Sequence, residues 1–171
     1  LISATIIMTE ESVDNSRNQD ILTESYRDQI KSLIEKESQR RTEIFHNPEE
    51  ISKLLSLSLV NLTEQNDENL VPALMARLGP VRAALDGHGG GIAVQSYLEE
   101  SIDGVNQLDL VLDLTGACLS CGAAPGTLDG IKADLEADDE VLRIRYSKNL
   151  IDTFDELGRE FILAHGNVEF V

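Results

Sequence analysis

Tryptophan is missing from this chain altogether, and Phe and Tyr are so few that aromatics make up 4% of it. A core must therefore rest on Leu, Ile, Val and Ala, and with hydrophobic residues at 42% of 171 positions there is enough material for one. Cysteine is almost as scarce. Two residues, Cys118 and Cys121, cannot make the disulfide framework of a small secreted scaffold. No apolar run reaches the length of about 18 residues that a membrane-spanning helix needs. The opening "LISATII" is apolar but short, and it lacks the basic n-region and cleavage site of a signal peptide. The first Met is Met8, so residues 1–7 are set aside as preceding a natural start or marking a fragment. Basic residues are in deficit too: 14 Lys and Arg stand against 31 Asp and Glu, a net charge of −17. Sequence-independent nucleic-acid binding needs clustered cations to displace counterions, and an anionic membrane surface would repel this chain. The expectation is a cytoplasmic protein with neither nucleic acid nor membrane as partner, its acidic surface serving solvation and self-repulsion.

What is present follows an order. Residues 8–20, "MTEESVDNSRNQD", are polar without periodicity, so 1–20 read as a disordered lead-in. Leu22, Tyr26, Ile30, Leu33, Ile34 and Ile44 then recur at helical spacing. "HNPEE" reads as a stop and restart, with Asn47 as N-cap and Pro48 in the first turn, and Ile51, Leu54, Leu55 and Leu59 make the stripe of a second helix. These helices form an N-terminal extension over 21–62. The polar stretch from 63 supplies a linker at 63–66 and the domain boundary. Leu70 to Leu85 reads as a helix interrupted at Gly79-Pro80. "DGHGGG" ends it, "GIAVQSYLEE" reads as a strand, and Asp103-Gly104 as a turn. "LDLVLDL" alternates strictly, with Leu108, Leu110, Leu112 and Leu114 on a core face and Asp109, Val111 and Asp113 on the other. A helix with Leu128, Ile131 and Leu135 inward leads to a third strand, "VLRIRYS", parallel to the second. A last helix is expected over 150–162 with Phe154, Leu157 and Phe161 inward, inside a C-terminal helix and tail at 149–171. The fold class is α+β: a domain over 67–148 with a small mixed three-stranded sheet and helices on one face, preceded by a helical extension.

The only cysteines stand in "LTGACLSCGAAPGTLDGI", between a strand end and a helix start. That setting favours thiolates, because the positive end of a helix stabilises anions. Gly116 and Gly122 bracket the pair and let the backbone bend around it. Three readings compete. Two buried filler thiols are the least favoured. A thiol–disulfide oxidoreductase fits locally, yet Ala117 stands where thioredoxin-like sites carry an aromatic, and no proline follows Pro125. A metal site needs four ligands where one chain offers two, and His46, His88 and His165 lack ligand spacing to the pair. A twofold dimer would supply the missing two cysteines, for zinc or for an iron–sulfur cluster.

"VRAALDGHGGGIAV" (81–94) and "LDLTGACLSCGAAPGTL" (112–128) together resemble the C-terminal domain of NifU and the Nfu-type iron–sulfur proteins. Leu85, His88-Gly89-Gly90, Gly116, Cys118, Cys121, Ala123, Ala124, Thr127 and Leu128 fall in register with that family's pattern. Gly122 and Ala83 stand where it usually has proline, and Leu128 and Ile131 are one residue closer together. The likeness covers about 67–148. It implies a non-enzymatic carrier or scaffold: a [4Fe-4S] cluster, with [2Fe-2S] as the alternative, bridging a homodimer through Cys118 and Cys121 of each subunit. Thr115, Gly116 and Gly122 would shape the loop, and His88 would be a turn residue. Upstream assembly machinery would load the cluster and apo iron–sulfur client proteins would receive it.

Overall fold

The computed structural model describes residues 3–117 and 125–171, with side chains over 21–117 and 126–171. The chain divides into two compact units, Leu1–Glu37 and Ser38–Val171. The first is made by helix α1, Ser3–Phe45, whose last turns belong to the second unit. The polar residues 8–20, expected as an irregular lead-in, are helical. No Pro or Gly occurs before Pro48, so low hydrophobicity there is not accompanied by anything that breaks a helix.

The second unit opens with α2, Pro48–Leu55, capped as expected by the Asn47 side chain, which accepts from the Glu49 N–H at 2.9 Å. The stripe expected to run on to Leu59 stops at Ser56. Ser58 restarts the chain as N-cap of α3, Leu59–Glu64, accepting from the Asn61 N–H. Leu59, Val60 and Leu62 are buried in the main core. This corrects the expected domain boundary. The polar stretch 63–69 is a turn inside one unit, with Asn66 at φ 49°, and α2 and α3 belong with the sheet. Arg77 shows why: its guanidinium donates to the Leu54, Leu55 and Leu57 carbonyls at the end of α2 and pairs with Asp138.

Gly79-Pro80 separates α4, Leu70–Ala76, from α5, Pro80–Gly87. Strands β1, Gly90–Ile102, and β2, Val105–Gly116, form an antiparallel hairpin. Its turn places Asp103 and Gly104 at φ 52° and 82°, the pair of positive values that a two-residue hairpin turn demands. Helix α6, Pro125–Leu135, leads to β3, Val141–Tyr146, parallel to β2, giving the order β1-β2-β3. The expected alternation holds. Leu108, Leu110, Leu112 and Leu114 are buried with Ile92, Ile144 and Tyr146, against Leu128, Ile131 and Leu135 of α6 and Leu74 and Leu85 of α4 and α5. The Tyr146 hydroxyl donates to the Leu128 carbonyl at 2.7 Å, which gives its polar tip a partner in the core. Burial pushes that phenol above its ordinary range.

The other sheet face is more buried than its pattern predicts, at Val111 and above all at Asp109. Asp109 was expected to face solvent and is fully buried, held by Arg143 and Arg145 of β3. Burial pushes its carboxyl up, but the hydrogen bonds and charges of the two guanidinium groups outweigh this and hold it below the ordinary carboxylate range. The C-terminus departs as well. The expected single helix is two, α7 (Lys148–Ile151) and α8 (Glu156–His165), because Asp155 N-caps a new start by accepting from the Gly158 N–H at 2.7 Å. Of the three residues expected inward, Phe154 is buried, while Leu157 and Phe161 are exposed and Ile162 takes their place. The tail then runs beside β3: the Tyr146 N–H donates to the Glu169 carbonyl, and the Val171 N–H to that of Tyr146.

Candidate functional site

Two glycine-bearing segments, 25 residues apart in sequence, meet at one end of the hairpin. β1 begins as β2 ends, so Gly90 pairs with Gly116 and Gly91 with Thr115. Gly116 has φ +66°, and a Cβ on it would overlap the Gly89 carbonyl oxygen. Only glycine satisfies both conditions, the left-handed backbone and the close approach. Gly91 lies in the same tight contact, where a Cβ would stand 3.1 Å from the Thr115 hydroxyl oxygen. Gly89 is itself at φ +64°, following His88 at the end of α5. His88 is exposed and its N–H donates to the Leu85 carbonyl, as suits a turn residue.

β2 thus delivers the chain to Gly116 and Ala117, and it resumes in α6 at Pro125. Cys118, Cys121 and Gly122 lie in between, outside the described residues; Thr115 is exposed at the strand end. The first turn of α6 carries no acidic side chain, and a helix start is the positive end of the helix dipole. α5 packs beside α6, with Val81 against Gly130. The described chain on either side of 118–124 is therefore a glycine-built strand end and a helix start.

A second group braces this corner from α5. The Asp86 carboxylate accepts from His46 Nε2 at 2.8 Å and lies 3.5 Å from Nε of Arg82, a buried side chain. His46 follows the last turn of α1, so this contact ties the end of that helix to the turn that receives Gly116. Sequence reasoning missed the clamp. The i, i+4 spacing of Arg82 and Asp86 on one helix is the only local sign of it, and His46 is 40 positions away. Among the described residues no group of three or more His, Cys, Asp or Glu side chains is disposed to hold a metal ion. No described helix is long and apolar enough to cross a membrane. Compared with known proteins, the chain matches no family model, no curated protein and no solved structure.

Proposed function

We propose that this protein is an iron–sulfur cluster carrier of the Nfu type, in which Cys118 and Cys121 of two copies together hold one [4Fe-4S] cluster as cargo. The observation that carries the reading is the pairing of Gly90 with Gly116 and the approach of Gly116 to Gly89. Two stretches on which the family resemblance rests, "DGHGGG" (86–91) and "TGA" (115–117), meet at one end of the hairpin. A chance CxxC has no need of a glycine pinned against a second glycine-rich turn 25 residues upstream. In this reading Thr115 and Gly116 direct the chain out of the sheet, and Gly122 lets it bend back toward α6. The thiolates carry the cluster, and the positive start of α6 offsets part of their charge. Two ligands per chain make the site incomplete in one copy, which suits a cargo that is handed on. Donors from the assembly machinery and apo iron–sulfur clients in the cytoplasm are the partners that such chemistry implies.

Anaerobic reconstitution with ferrous iron and sulfide tests the proposal. The native chain is expected to develop a broad band near roughly 400 nm, the region of cysteine-ligated clusters. Cys118→Ser and Cys121→Ser are each expected to abolish it with the far-ultraviolet circular dichroism unchanged. A coloured double mutant would overturn the ligand assignment. A colourless native chain that binds zinc, or that reduces disulfides catalytically, would overturn the carrier reading in favour of a zinc-bridged dimer or an oxidoreductase.

A further inference from the structure

Within the first unit, the described side chains include an exposed apolar stripe. Leu22, Tyr26, Ile30 and Leu33 follow one another at spacings of four, four and three along α1, so they share one face of the helix. Their side chains are 56–65% exposed, and Ile34 beside them is 55% exposed. A helix whose apolar face remains in water lacks the burial that stabilises most helices in proteins, so this stripe calls for a cover.

Charge identifies what the cover is. Between residues 21 and 45 there are five basic residues, Arg27, Lys31, Lys36, Arg40 and Arg41, and five acidic ones, Glu24, Asp28, Glu35, Glu37 and Glu43. The whole of the −17 net charge therefore lies outside this segment. Two copies of the chain repel each other over the rest of their surfaces, and strong self-repulsion keeps proteins apart. Along 21–45 that repulsion vanishes, and both signs are present to pair across a contact. The neutral segment and the exposed stripe coincide, which is the arrangement that helix pairing between identical chains requires. A strongly basic partner would find its complement elsewhere on the molecule, where the negative charge is concentrated.

We propose that a second copy of the chain packs on the Leu22–Leu33 stripe of α1, so that the protein is a dimer before it meets any cluster. The inference rests on the carrier reading for its purpose, since a preformed pair raises the local concentration of the second CxxC, but its physical argument is independent of the cysteines.

The test uses the full chain carrying Cys118→Ser and Cys121→Ser, so that neither a cluster nor a disulfide can join two copies. Sedimentation equilibrium is expected to return the mass of two chains. Adding Ile30→Glu and Leu33→Glu is expected to weaken self-association at least ~100-fold, the worth of two buried aliphatic side chains, with the chain remaining folded because these positions lie outside the core. A monomeric cysteine-free chain overturns the inference, and so does a dimer that survives both glutamates. Iron uptake by the native chain separates the two readings. A cysteine-free monomer alongside a native chain that loads a cluster removes the stripe proposal and leaves the carrier. A cysteine-free dimer alongside a native chain that loads none does the reverse.

Discussion

Gly116 is the residue on which the corner turns. Its positive φ and the Gly89 carbonyl oxygen against it are separate constraints, and two alanine substitutions separate them. Gly89→Ala adds a side chain at φ +64° with open space around it, so it is expected to cost about 1 kcal/mol. Gly116→Ala meets the same backbone penalty and also displaces the facing carbonyl, so about 2–4 kcal/mol is expected. Urea midpoints of the two variants measure the difference, and equal midpoints would remove the close approach from the account. Asp109 makes a different prediction, one of pH. Its carboxyl is held below the usual range, so its contribution is complete above the unfolded-state value of about 4 and is lost as pH falls through the lower folded value. Asp109→Asn is expected to cost about 3 kcal/mol at neutral pH, the low end for a broken buried pair because Arg143 is half-exposed. The gap between native and variant stability should close on acidification below pH of about 4, whereas a gap independent of pH would contradict the assigned charge. Neither residue disclosed its role in sequence. Gly116 read as one of two loop glycines, and Asp109 as the polar half of an alternating strand, because the atoms that constrain them come from 27 and 34 positions away.

At the scale of elements, local patterns were reliable and local endings less so. Alternation placed the leucine face of β2, the stripe of α6 and the parallel β3 in their observed roles, because each depends on a period that neighbouring residues set. Endings depended on single polar side chains that a hydrophobic stripe hides. Ser58 and Asp155 each split an expected helix by capping a new start. Long-range caps were beyond reach. Glu140, just before β3, accepts from the Ser58 hydroxyl and from the Leu59 N–H at the start of α3. Arg77 does the converse at the end of α2, giving its donors to backbone carbonyls. Arg77→Met keeps the aliphatic stem and removes the donors, so four carbonyls, those of Leu54, Leu55, Leu57 and Ala73, and the Asp138 carboxylate each lose a donor. A loss of about 2–3 kcal/mol is expected in chemical denaturation. It should be accompanied by faster amide exchange over α2 and α3, and protection that survives there would mean that the guanidinium is not what ties these helices down.

For the molecule as a whole, the boundary moved because contact decides domains and composition does not. A polar run at 63–69 has the make-up of a linker, yet Leu59 and Leu62 before it and Leu74 after it share one core. What was legible of the candidate site was its chemistry: a cysteine pair at spacing three after a strand. What was not legible was its support, the Gly89–Gly116 approach and the Asp86 clamp to His46, both made by distant chain segments. In the proposed function this glycine-built corner would serve Cys118 and Cys121 of two copies that share one cluster. Native mass spectrometry after anaerobic reconstitution tests that most directly, because it reads chains, iron and sulfide in one species. An ion with the mass of two chains plus one [4Fe-4S] cluster is expected, absent from the Cys118→Ser variant. A cluster found on a single chain, or two chains that take up no iron and sulfide, would contradict it.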